Sequence, residues 1–272
     1  MMAGMTQDLD RLTRNPLKAL LAAGGVAVSM SVRIMRSHEI GRIAAAAGFD
    51  TLYVDLEHSV LSLETAALVC HAAREAGVVP LVRLPAADAA LIGRVLDGGA
   101  MGLILPHLED AASARRAVAA ACYPPRGRRS MGAGQPLLHY RAFPAGQACA
   151  ALNRSLFVAV MVESAAGLAQ AEALAGVDGV DMLFVGAGDL GAELGWGPED
   201  DEAVAAAFAQ ALAAARRHGK TVGAGGLAQR PALMRRLVGM GVRFLSTGTD
   251  LAFLAAGAAQ QARMARETAG AV

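Results

Sequence analysis

The stretch TLYVDLEHS, residues 51 to 59, is apolar and β-prone until it ends in Asp55, Glu57 and His58. A carboxylate beside an imidazole can orient it, and the imidazole, or a water it holds, can then move protons. Asp55 and His58 are the candidate pair. Arg83 closes the apolar run VVPLVRL, residues 78 to 84. An arginine keeps its proton and suits a developing enolate or carboxylate oxygen. In extended chain residues 55 and 57 share a face, so Glu57 is expected to brace Arg83 by an ion pair. Glu163 ends SLFVAVMVE, residues 155 to 163, and Asp189 lies in GAGDL, residues 186 to 190. These two carboxylates could offer oxygens to one divalent cation of the Mg or Mn type that keeps positions open for water and substrate. The small residues of GAGDL also let backbone N–H groups at a helix start approach an anion. Competing with these readings are helix caps at Glu163 and Asp189.

Elements must place such side chains together. Short apolar runs at 25–32, 51–57, 78–84, 101–106, 155–163, 181–186, 220–224 and 243–248 read as strands. They are apolar on both faces, as parallel strands covered by helices must be. Ala-rich segments between them carry apolar residues at helical spacing, such as Leu91, Ile92, Val95 and Leu96. Ser62 and Asp88 are expected N-caps, Glu39 and Glu64 fall in first turns, and Gly48 and Gly77 follow last turns. Eight β/α units predict a TIM (β/α)8 barrel over a single domain, 1–272, with a doubly wound sheet as the alternative. In a barrel the ends of successive strands gather on one rim. That rim would hold Asp55, Glu57, His58, Arg83, His107, Glu163 and Asp189.

Composition narrows the functional classes. The chain has 272 residues, 54% hydrophobic and 18% charged, with formal net charge +1. No dense basic face is available for nucleic acid. No segment offers the roughly 18 uninterrupted apolar residues of a membrane span. Cys70, Cys122 and Cys149 are odd in number and lack metal-type spacing, so they read as buried thiols of a cytoplasmic protein. The chain's two lysines are Lys18, before the first strand, and Lys220, at the start of the seventh. Neither is placed for Schiff-base catalysis at the rim, so carbonyl chemistry must rely on a metal and arginine.

With these motifs in order the chain resembles the HpcH/HpaI aldolases, class II metal-dependent pyruvate aldolases of the 4-hydroxy-2-oxoheptanedioate aldolase type. The resemblance runs from about residue 20 to about residue 260. It is carried by AGFDTLYVDLEHS (47–59), LVRLP (81–85), GGAMGLILPHLED (98–110), YPPRGRRSMG (123–132), VES (162–164) and LFVGAGDLGAELG (183–195). It implies that Glu163 and Asp189 bind Mg, Mn or Co, which chelates a 2-oxo acid. It further implies that Arg83 stabilises the pyruvate enolate, that His58, held by Asp55, is the base, that the backbone of Gly188 and Asp189 receives the carboxylate, and that His107 lines the pocket. A 4-hydroxy-2-oxo acid would be cleaved to pyruvate and an aldehyde. Leu190, Trp196 and the segment from Arg126 to Asn153 are expected at the aldehyde end. A homo-oligomer, hexameric and exchanging its C-terminal helix, is also implied. Met161, Ala187, Gly191 and Ser130 depart from the family pattern. The alternatives are an acyl-CoA lyase of the citrate lyase β-subunit or malyl-CoA lyase type and a non-catalytic metabolite-binding barrel.

Overall fold

The computed structural model describes residues 2–270 except Ala133 and Pro198, with side chains from Gln7 onward. Eight strands, β1 Ala27–Val32, β2 Thr51–Asp55, β3 Val79–Arg83, β4 Gly102–Leu105, β5 Phe157–Val162, β6 Met182–Gly186, β7 Thr221–Gly225 and β8 Phe244–Thr249, follow one another around a closed parallel barrel. β1 closes it by pairing with β8. The TIM barrel is therefore present, and the doubly wound alternative is excluded by that closure.

Strands β2 to β6 are buried at every position because each has two covered faces. One face, with Leu52, Val54, Val82, Val160 and Leu183, packs against the helices. The other, with Tyr53, Leu81, Ile104, Met161 and Phe184, fills the barrel. Phe184 meets Tyr53 and Phe244 edge-on at centroid distances of 6.0 and 5.7 Å, a preferred aromatic geometry. Room for its ring comes from β7: a Cβ on Gly223 or Gly225 would stand 2.7 or 2.8 Å from that ring.

Side-chain caps fix where the helices begin. Ser62, Asp88, Asp110, Ser164 and Thr249 each accept a backbone N–H at the start of the following helix. Glu39 holds the N-cap position of its helix without a capping hydrogen bond. The segment from Arg126 to Asn153 is less irregular than its composition suggests, with a 3-10 turn at Pro136–Leu138 and a helix at Ala145–Ser155. Asn153 secures that helix by hydrogen bonds to the backbone N–H and carbonyl of Tyr123. The final helix, Asp250–Thr268, runs away from the barrel with Leu251, Phe253, Leu254 and Met264 exposed.

Candidate active site

β2 stops at Asp55, two residues earlier than expected. The chain turns there because Oδ1 of Asp55 accepts the N–H groups of Glu57 and His58 at 3.1 and 3.2 Å, a local competition with the strand ladder that aspartate favours. Glu57 thus reaches the site from a turn, not by strand alternation. Its side chain still meets Arg83, whose Nη1 lies 2.9 Å from Oε2 of Glu57. The contact is an ion pair without hydrogen-bond geometry.

The Asp55 carboxylate is fully buried and receives two arginines. Arg83 donates through Nε to Oδ1 at 2.9 Å and through Nη2 to Oδ2 at 2.6 Å, and Arg33 donates through Nε to Oδ2 at 2.8 Å. Burial works against the charge on Asp55, but the hydrogen bonds and charge of Arg83 outweigh it and hold the carboxyl below its usual range. Burial likewise opposes the charge of Arg83, and Asp55 reverses the balance to push its pKa up.

This arrangement corrects the expected Asp55–His58 dyad. Asp55 binds the backbone of His58, and the ring stands by a different acid, with Nε2 3.9 Å from Oε2 of Glu57. The carboxylate is already committed to two guanidinium groups, so no oxygen is left to orient an imidazole. His58 is half exposed and lines the barrel mouth.

Glu163 follows β5, and because Ser164 caps the next helix in its place the Glu163 carboxylate is free to face the site. Its Oε1 accepts the N–H of His107 at 2.8 Å and lies 3.1 Å from Nδ1 of the same residue. Burial raises its pKa; the N–H and charge of His107 oppose the rise, and Glu57 and Asp189 add to it. His107 takes a left-handed backbone conformation, φ 58°, and its Nε2 lies 2.7 Å from Oε1 of Glu57. One imidazole therefore links the two carboxylates. Asp189 sits inside the first turn of the helix Ala187–Leu194, whose N-cap is Gly186 with no capping side chain. Neither Glu163 nor Asp189 is a helix cap.

Two cavities open at this rim. The larger, about 300 Å³, is lined by Arg33, His58, Arg83, Met161, Gly188 and Asp189 among others. The smaller, about 180 Å³, is lined by His107, Glu109, Met161, Glu163, Ser164 and Asp189 among others. Met161 and Asp189 belong to both. His107 thus serves the smaller cavity, while Leu190 is buried in the core and Trp196 packs over Gly191. Neither Leu190 nor Trp196 lines either cavity. Ser31 of β1, Arg33 just beyond it, and Ser246 and Thr249 of β8 take part unexpectedly. Arg33 follows the end of β1, so the strand-end rule that singled out the other rim residues also points to it.

The description HpcH/HpaI aldolase/citrate lyase fits residues 34–256 of the chain. The chain belongs to the HpcH/HpaI family. Within it, a 4-hydroxy-4-methyl-2-oxoglutarate aldolase from Hapsidospora irregularis is 38% identical over 248 residues, covering 90% of this chain and 92% of that one. A 4-hydroxy-2-oxo-heptane-1,7-dioate aldolase from Salmonella arizonae is 32% identical over 247 residues, covering 90% and 92%. The crystal structure of an HpcH/HpaI aldolase from Desulfitobacterium hafniense superimposes with a TM-score of 0.85 at 29% identity, covering 92% of this chain and 96% of that one. The aldolase reading of this HpcH/HpaI chain holds over the acyl-CoA lyase and the non-catalytic barrel.

Proposed function

We propose that this aldolase cleaves and forms 4-hydroxy-2-oxo acids, with pyruvate as one product and an aldehyde or oxo acid as the other. The observation that carries the reading is Arg83, locked by Asp55 and Glu57 at a mouth that also holds Glu163 and Asp189 and, among the described lining residues, no lysine.

The residues suit a divalent cation. Glu163 and Asp189 are acids at neighbouring strand ends, the charge of Asp189 adds to the rise that burial imposes on Glu163, and Glu163 is nearly buried. Gly186 leaves the space beside them clear: a Cβ there would lie 3.2 Å from Cβ of Glu163 and 3.6 Å from its Oε2. Among the described residues no group of three or more His, Cys, Asp and Glu is placed to enclose a metal, so these two carboxylates would hold Mg, Mn or Co with most positions open. Such an ion would withdraw electrons from the carboxylate and keto oxygens of a 2-oxo acid.

The chain's own groups perform the remaining work. The uncapped N–H groups at Gly188 and Asp189 bind the substrate carboxylate. His58 takes the proton of the C4 hydroxyl, directly or through a water. The C3–C4 bond then breaks toward C3, C4 becomes the aldehyde carbon, and Arg83 stabilises the charge that develops on the C2 oxygen. C3 takes up a proton, returned from His58 directly or through a water, to give pyruvate. His107 spans Glu57 and Glu163 through its two ring nitrogens while leaving the mouth open.

Three free thiols, two of them buried, fit the reducing cytoplasm in which we place the protein. Exposed apolar residues on the last helix support a homo-oligomer built by exchange of that helix, with a hexamer as the proposed form.

The test is an aldol assay with pyruvate and a panel of aldehydes. Turnover should vanish with chelator, return with Mg or Mn, and fall about 100- to 1,000-fold in Arg83→Ala. Turnover indifferent to chelator and to Arg83 would sink the proposal.

A further inference from the structure

Arg33 is held at both ends. Asp250, buried at the start of the last helix, accepts the N–H groups of Arg33, Ile34 and Met35 at 2.9, 3.0 and 2.7 Å. Farther out, Nε of Arg33 donates to the Asp55 oxygen that Nη2 of Arg83 also reaches. The two guanidinium groups are therefore no farther apart than their bonds to one oxygen allow.

Their terminal nitrogens differ in what they meet. Every nitrogen of Arg83 faces a carboxylate oxygen of Asp55 or Glu57. From Nη1 and Nη2 of Arg33, no hydrogen bond reaches any of the described residues. The side chain lines the larger cavity and is 35% exposed. Around it stand Ser31, Ser246, Gly248 and Thr249, none of them charged, and Asp189 after β6 is the acidic residue among the described lining. The nearby acids, Asp55 and Asp250, spend their oxygens on Arg83 and on backbone N–H groups. This end of the cavity presents hydroxyls beside a guanidinium whose two terminal nitrogens are unspent among the described residues.

A fixed guanidinium with free terminal nitrogens matches a carboxylate bidentately. We infer that Arg33 binds a second carboxylate, carried on the aldehyde-derived end of the substrate, and selects short dicarboxylic 4-hydroxy-2-oxo acids. This rests on the proposed function, in which the 2-oxo acid's own carboxylate lies at Gly188 and Asp189. A volume near 300 Å³ is at the lower limit of small-molecule sites and restricts the chain to a few carbons. Arg33 is prepositioned, so little ordering cost offsets the contact.

The experiment compares binding of 2-oxoglutarate and 2-oxopentanoate, which differ by carboxylate against methyl at C5 and lack the hydroxyl needed for cleavage. Calorimetry with Mn present is run on the wild type, Arg33→Met and Arg33→Lys. The wild type should bind 2-oxoglutarate more tightly, Arg33→Met should lose about 10- to 100-fold of that preference, and Arg33→Lys should recover part of it. Absence of a preference in the wild type, or an unchanged preference in Arg33→Met, overturns the assignment and leaves Arg33 a brace for Asp55. Cleavage of 4-hydroxy-2-oxoglutarate and 4-hydroxy-2-oxopentanoate is measured in parallel. If neither is cleaved while the binding preference behaves as expected, the reaction proposed above fails and the role of Arg33 stands.

Discussion

Asp55 and Arg83 are opposite one another in register on β2 and β3 and are joined by two parallel hydrogen bonds, 2.9 and 2.6 Å long, in the buried mouth of the barrel. The sheet itself aligns the pair, so its geometry does not depend on a loop. Removing one member of a buried ion pair leaves the other charged and unpaired. Asp55→Asn should cost about 3 to 5 kcal/mol of stability, read from urea unfolding at neutral pH.

The same carboxylate sets a pH dependence. Asp55 titrates below its ordinary value of 3.8 in the folded protein, so its contribution is present above that pH and is lost as pH falls through the lower folded value. The stability gap between wild type and Asp55→Asn should therefore be constant near neutrality and close below pH 3.8. A gap that persists in acid would show that the carboxylate acts by shape rather than charge.

Gly186 offers a way to disturb the proposed metal ligands without touching them. Its φ of −86° is open to alanine, but the added Cβ would stand 3.2 Å from Cβ of Glu163 and 3.3 Å from Cε of Met161. Gly186→Ala should weaken Mn binding about 10- to 100-fold, as changes just outside a metal's ligands do, with little change in unfolding. Calorimetric titration with Mn measures it, and unaltered affinity would argue against Glu163 as a ligand.

Asp250 couples the last helix to the loop after β1 by accepting the N–H groups of Arg33, Ile34, Met35 and Leu251. Asp250→Ala strips those donors of their acceptor, and about 1 to 3 kcal/mol is expected for each one left buried and unmade. Hydrogen exchange should rise at residues 33 to 35 before it rises in the strands. Uniform loss of protection would instead mark a global effect.

The exposed apolar residues of the final helix carry the assembly prediction. Leu251→Asp combined with Leu254→Asp should lower the mass measured by light scattering toward the 27.8 kDa of one chain. Unchanged mass would remove this helix from the interface.

Much of this protein was legible in its sequence. Eight doubly apolar runs alternating with helical ones lead to a parallel barrel because such strands need cover on both faces. Once the barrel is accepted, strand ends locate Arg83, Glu163 and Asp189 at one mouth, and Ser62 and Asp88 cap their helices as their side-chain chemistry dictates. The end of β2 was not legible: a period-two pattern continues through Glu57, whereas Asp55 turns the chain by binding two backbone N–H groups.

Partnership was decided in three dimensions. Sequence proximity pairs Asp55 with His58, three residues on, but the closed barrel brings Arg83 and Arg33 to the same carboxylate from 28 and 22 residues away. A buried carboxylate is stabilised most by the charged donors that reach it, and which donors reach it depends on register and closure. Closure also sets β1 beside β8, so Asp250 fixes the loop that carries Arg33, 217 residues distant. The sequence by itself determined the barrel and the kinds of side chain at its mouth; the tertiary structure decided which of them share a proton, a charge or a cavity, because those contacts join residues that only the folded barrel makes neighbours.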